Sequence, residues 1–206
     1  MKKLLIAVLM AMPLLASAQD NTWERIEQTT SDKASRDAQY LAENAVPVVD
    51  GMVCWQADIK APGKTAAQIY DILLGQLEKM TKEPNQIKNS AVPIQDAEKH
   101  RLGAVFHEWL VFKNAALSLD RTQMHFVLSA ECSDGSALVK MTRITYDYDV
   151  DRTPQHYDAE TWITDKYAVN KKGTKLYPIS GKFRKKTIDR KDFIFKKFES
   201  LLNDTK

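Results

Sequence analysis

Apolar and polar residues alternate from Met52 to Ala61. Val53, Trp55, Ala57 and Ile59 fall on one side, Met52, Cys54, Gln56 and Asp58 on the other. A period of two belongs to a strand with one buried face. Pro62-Gly63 ends the run, and Thr65 is placed to accept from the free N–H groups of a following helix. In that helix Ala66, Ile69, Tyr70, Leu73, Leu77 and Met80 return at steps of three and four, a core-facing stripe. Lys82 to Lys99 contains Pro84, Pro93 and several Asn and Gln, and reads as a loop.

Three strands follow. Arg101–Phe112 is rich in Val, Phe and Trp. Gln123–Cys132 sets Phe126, Leu128, Ala130 and Cys132 against His125, Val127, Ser129 and Glu131. Ser133-Asp134-Gly135 is a turn signal that returns the chain as a hairpin. In Ser136–Val150 the apolar set starts on Val139 and Met141, then moves to Ile144, Tyr146, Tyr148 and Val150. Such a change of phase predicts a bulge at Thr142 or Arg143. The spacing of Ala159, Trp162, Ile163 and Tyr167 predicts a helix from Ala159, ended by Asn170 and Gly173. Lys171–Lys186 is basic and turn-rich. Asp189 is expected to cap a last helix with a stripe of Phe193, Phe195, Phe198, Leu201 and Leu202. Strand, helix, several antiparallel strands and a final helix make the fold class α+β, an antiparallel sheet packed by helices.

The N-terminus carries a different pattern. Lys2 and Lys3 precede an apolar run, Leu4–Leu15, and then Ala16-Ser17-Ala18. This reads as a signal peptide over residues 1–18, cleaved after Ala18. The apolar run is far short of the roughly twenty residues of a membrane span. A polar lead-in, 19–46, extended or weakly helical, then joins one domain, 47–206. The expected location is the periplasm or the medium, and the mature protein is not expected to be an integral membrane protein.

Charge refines this picture. Removing Lys2 and Lys3 from the 30 basic residues leaves 28 against 27 acidic ones, which weakens any case for nucleic acid. The balance is uneven, however. Lys166–Lys197 holds twelve Lys or Arg against Asp189 and Asp192. Within it Lys182, Arg184, Lys185 and Lys186 directly precede the expected last helix, whose N-terminus favours an anion. They are the candidate binding residues, for a phosphate, an acidic sugar or a lipid head group.

Other chemistry is faint. His100, His107, His125 and His156 form no HxxxH or HExxH spacing, so no metal site is expected. His107 and Glu108 are neighbours on a strand and point to opposite faces. There is no GxSxG elbow. Cys54 and Cys132 lie on opposite strand faces, so no disulfide is expected. Asp147, Asp149 and Asp151 share one strand face and present carboxylates suited to Ca²⁺, or simply a solvated face. Trp55, Trp109, Trp162 and the Phe row of the last helix are expected in the core.

Several short motifs, taken in order, carry a resemblance. They are Gly51-Met52-Val53, Pro62-Gly63-Lys64-Thr65, Ile69-Tyr70-Asp71, Gly181-Lys182-Phe183-Arg184, Thr187-Ile188-Asp189 and Phe195. From Val48 to Leu202 the chain resembles a domain family of unknown function with a TATA-binding-protein-like fold, frequent in exported proteins of Bacteroidetes. The resemblance implies a strand–helix–four-strand–helix architecture, TBP-like or helix-grip-like, and no activity or cofactor. The expected function is that of an exported, non-catalytic binding or interaction module of the cell envelope. Its partner would be a small anionic or apolar ligand or an envelope protein. The alternative is an envelope hydrolase, or another enzyme whose site forms only in three dimensions.

Overall fold

Thr65 begins the longest regular stretch of the N-terminal half as expected. Its hydroxyl accepts from the Gln68 N–H while the Gln68 side chain accepts from the Thr65 N–H, a reciprocal capping box. The computed structural model describes residues 33–115 and 118–204. The expected signal peptide, 1–18, and residues 19–32 of the lead-in lie outside them. The elements run α1 (Lys33–Leu41), β1 (Val48–Val49), β2 (Met52–Val53), β3 (Trp55–Lys60), α2 (Ala66–Met80), β4 (Ala91–Asp96), β5 (Arg101–Ala115), β6 (Ser118–Ser133), β7 (Ser136–Tyr148) and β8 (Gln155–Asp158). Three helices complete the chain: α3 (Ala159–Trp162), α4 (Asp165–Ala168) and α5 (Ser180–Asn203).

The sheet is antiparallel, in the order β3-β7-β6-β5-β4, and β8 pairs with the far half of β7. Asp134-Gly135 closes the β6–β7 hairpin between the paired Ser133 and Ser136, with Gly135 at φ +78°, where a side chain would be strained. Asp134 also accepts from the Ala66 N–H, which ties this turn to the start of α2. The change of phase in β7 is a bulge. Val127 pairs with Thr142 and His125 with Thr145, and Arg143 sits at φ +54°. Burial moves with it, from Val139 and Met141 to Ile144 and Tyr146.

The inner face of the sheet packs against α2 and α5. Phe106 and Phe126 are cross-strand partners, stacked with ring centroids 5.1 Å apart. Phe183, Ile188, Ile194, Phe198 and Leu202 bring α5 onto this layer, and Ile69, Leu73 and Leu77 bring α2. The space between sheet and last helix is thus filled with side chains. Burying one such large apolar side chain contributes roughly 1.5–3 kcal/mol.

Several expectations are corrected. The segment 82–99 is not all loop, because Ala91–Asp96 forms β4 at the sheet edge. Pro93 is tolerated there because an edge strand can spare an N–H. The helix expected from Ala159 is two single turns, α3 and α4, separated at Ile163-Thr164. Asp189 does not cap the last helix. That helix starts at Ser180, and Asp189 lies well inside it, accepting from the Tyr40 hydroxyl at 2.6 Å. Its buried stripe is Phe183, Thr187, Arg190, Ile194, Phe198 and Leu202, while Phe193, Phe195 and Leu201 are only half-buried. Trp109 is not core. It is half-buried on the outer face of the sheet, where the Arg121 guanidinium stacks 3.6 Å from its ring centre. Asp147, Asp149 and Asp151 do not share a strand face, since β7 ends at Tyr148.

Candidate functional site

The four expected anion ligands sit on the first two turns of α5, and the helical period separates them. Arg184 points inward and is fully buried. Its Nε donates to the Tyr40 carbonyl at 2.7 Å and its Nη1 to the Ile163 carbonyl at 2.8 Å, and Nη2 pairs with Asp165 at 2.7 Å. A guanidinium held by three separate segments is a structural rivet, not a ligand. Lys182 lies between strands and cleft. It donates to Asp120 at 2.7 Å and to the Tyr148 hydroxyl at 3.0 Å. Burial works against its charged form, but these partners outweigh it and hold the ammonium above the ordinary lysine range. Lys185 pairs with Asp37 of α1. Lys186 is half-buried and does not line the cleft.

That cleft lies between α1, the 174–178 segment and the start of α5, with a volume of about 460 Å³. Lys175, Lys182 and Lys185 line it with Asp37, and Leu41, Leu176, Tyr177 and Pro178 supply apolar wall. The helix N-terminus itself offers less than expected. The Gly181 N–H already donates to the Tyr177 carbonyl and the Lys182 N–H to that of Ile179. What an anion would meet is lysine charge. Gly181 is required by close approach, because a Cβ there would lie 2.7 Å from the Leu176 Cβ.

A second constellation occupies the outer face of the sheet and has no counterpart in the sequence motifs. His107 of β5 and His125 of β6 are register partners, with their Nδ1 atoms 2.6 Å apart. His125 Nε2 lies 2.9 Å from Asp147 Oδ2, and His156 Nδ1 of β8 lies 2.6 Å from Asp147 Oδ1. Strand registers assemble this chain from residues 18, 22 and 9 positions apart. Burial would raise the Asp147 carboxyl, but the bonds from His156 and His125 outweigh it and hold it below the ordinary range. The Asp147 hydrogen bond raises His156 against a smaller effect of burial. Burial, with His125 beside it, lowers His107.

The geometry dictates the protons. A carboxylate only accepts, so His125 carries hydrogen on Nε2, and in the neutral ring its Nδ1 is a lone pair. His107 therefore donates from Nδ1. This arrangement has the base and the acid of a nucleophilic triad but, among the described residues, no nucleophile beside them. The position where a serine or cysteine would meet His125 is taken by His107. Ser90 Oγ reaches His107 through the backbone alone, accepting from its N–H at 2.9 Å and donating to its carbonyl at 3.2 Å. Among the described residues no three His, Cys, Asp or Glu side chains converge to hold a metal ion. Cys54, half-buried, and Cys132, buried, are both free thiols.

A third cluster is buried and structural. Glu108 and Arg190 are both fully buried where β5 meets α5, and Glu83 joins them. Burial disfavours the charged guanidinium, but Glu108 and Glu83 outweigh it and raise Arg190.

An antiparallel sheet with both long helices on one face and the other face open defines a protein of the TBP-like α+β class. The family model described as "Domain of unknown function (DUF4468) with TBP-like fold" matches residues 55–147. A crystal structure of a DUF4468 family protein from Bacteroides ovatus is 36% identical. The similarity covers 85% of this chain and 98% of that one, with a TM-score of 0.75. This chain belongs to the DUF4468 family. A TBP-like protein from Parabacteroides distasonis, 18% identical, shares the fold over 78% of this chain and 99% of its own, with a TM-score of 0.64. No curated protein matches the chain. Among the described residues no helix is long and apolar enough to cross a membrane.

Proposed function

We propose that the protein is an exported, non-catalytic binding module of the cell envelope that takes a small amphiphilic anion in the cleft at the start of α5. The observation that carries this reading is the lining of that cleft: Lys175 beside Lys182, which Asp120 holds from behind, and Lys185, which Asp37 holds, against a wall of Leu41, Leu176, Tyr177 and Pro178. Convergent charge on an apolar wall suits a carboxylate or phosphate head on a short apolar body. Asp37 closes on Lys185 without ligand, and an anion would replace it there. In this reading Lys182 and Lys185 of the expected set hold the anion together with Lys175, and Arg184 and Lys186 take no part.

Calorimetry with octyl phosphate, against neutral octyl glucoside as control, tests the reading. Binding of the phosphate only, weakened at least tenfold by Lys175→Ala and Lys185→Ala together and reduced by salt, supports it. Equal binding of both amphiphiles, no binding of either, or indifference to the two substitutions overturns it. Native mass spectrometry of the protein drawn from its own envelope would show whether such a mass, or a protein partner instead, travels with it.

A further inference from the structure

We propose that His107 and His125 form a two-histidine clamp for a divalent transition metal ion of the zinc, copper or nickel type, on the outer face of the sheet. This site is separate from the cleft, and its case stands without the anion reading. Two ring nitrogens aimed at one point within 2.6 Å of each other are either sharing a proton or ready to share a metal.

The case rests on three features. First, the two rings come from paired positions of adjacent strands, so the sheet fixes their separation. Metal–imidazole bonds of about 2.0–2.1 Å at a tetrahedral angle would set the two nitrogens roughly 3.3 Å apart, so the rings need to part by less than about 1 Å. Second, His125 already has the outer partner that metal-binding histidines use. Its far nitrogen donates to Asp147, which fixes the ring with Nδ1 as the lone pair and makes it a stronger donor. Asp147 is held in turn by His156. Third, the donors are imidazoles, which select zinc, copper and nickel over calcium or magnesium. With two protein ligands, the remaining positions fall to water or to donors of a bound molecule. Binding needs no net loss of a proton from the neutral pair. His107 gives up hydrogen from Nδ1 and regains it from solvent on Nε2, and no oxidation or reduction occurs.

The test is a titration of untagged protein with zinc chloride at pH 7.5, followed by calorimetry and by long-range ¹⁵N spectra of the imidazoles. The expected result is one ion per chain, with Nδ1 of both His107 and His125 shifted. Binding is expected to vanish in His107→Ala and His125→Ala and in the size-conserving His107→Gln. In Asp147→Asn it should weaken about tenfold or more, and in His156→Ala it should survive within a few-fold. Circular dichroism and thermal unfolding of each variant without metal separate loss of a ligand from loss of the fold. Three outcomes overturn the proposal: no saturable binding below millimolar zinc, binding that persists without His107, or binding lost in His156→Ala with the His107 and His125 signals unmoved. The last places the ion on Asp147 and His156 instead.

Discussion

Glu108 receives two hydrogen bonds from Arg190, Nε to Oε1 at 2.9 Å and Nη2 to Oε2 at 2.8 Å, with both side chains fully excluded from solvent. The pair joins β5, next to the β4 edge, to the middle of α5, and Gln86 and Glu83 complete it from the α2–β4 connection. Removing one partner leaves the other charge buried. Arg190→Met is therefore expected to cost about 3–5 kcal/mol, and the double variant with Glu108→Leu distinctly less than the two single changes summed. Urea unfolding of the four proteins measures this. Additive losses would mean that the pair is not coupled.

Arg184 makes an equally specific demand. Its guanidinium reaches the Tyr40 and Ile163 carbonyls and Asp165 at once, a fork that lysine cannot reproduce. Arg184→Lys is expected to lower stability by about 2–3 kcal/mol, since two buried carbonyls lose a charged donor. The α1 amide protons should exchange faster by hydrogen exchange.

The two thiols should behave differently. Burial pushes the Cys132 thiol up to about 11, from an ordinary 9.0, while Cys54 is only half-buried. A thiol reagent at pH 8 should label one cysteine quickly in the native protein and two after denaturation. The same shift sets a pH dependence. The folded thiol keeps its proton longer than the unfolded one. Stability is thus complete below about pH 9 and declines towards pH 11, by up to roughly 2 kcal/mol from this residue. Cys132→Ala should flatten that part of the curve. An unchanged slope would assign the alkaline loss to Tyr40 and Tyr146, both also raised by burial.

Gly181 links stability to the cleft. A methyl group there meets the Leu176 Cβ at 2.7 Å, so Gly181→Ala should push the 174–178 segment outwards at a cost of about 1–3 kcal/mol. Octyl phosphate affinity should fall together with Tm. A variant of unchanged stability and affinity would show that the segment yields freely.

Export is checked most directly at the mature N-terminus. Sequencing the protein from cell fractions should find Gln19 first and the chain in the periplasm or medium, and an intact Met1 in the cytoplasm would end the export reading.

What could be read along the chain was what is local in it. The period of two located β3, β6 and β7. The shift from Met141 to Ile144 located a bulge, and Thr65 located a cap. β4 was missed because Pro84 and Pro93 look like loop residues unless the strand is known to lie at an edge. The start of α5 was missed because its buried face carries Thr187, Arg184 and Arg190, polar residues that become interior only through Tyr146, Asp165 and Glu108 elsewhere in the chain. The histidine–aspartate chain was illegible for the same reason. Nothing in residues 107, 125, 147 and 156 relates them until register does. The bulge at Arg143 sets part of that register, since without the slip Thr145 would not face His125.

Pro93 also bears on how copies of this protein can meet. A sheet with free margins can recruit strands from other chains and grow into a filament. Here one margin ends on a strand carrying a residue without an N–H, and the opposite margin is divided between β3 and β8, only six and four residues long. Neither offers a long continuous template. Even at high concentration, copies of the protein should therefore add few backbone hydrogen bonds across these margins, and sheet-to-sheet growth should stop after short contacts.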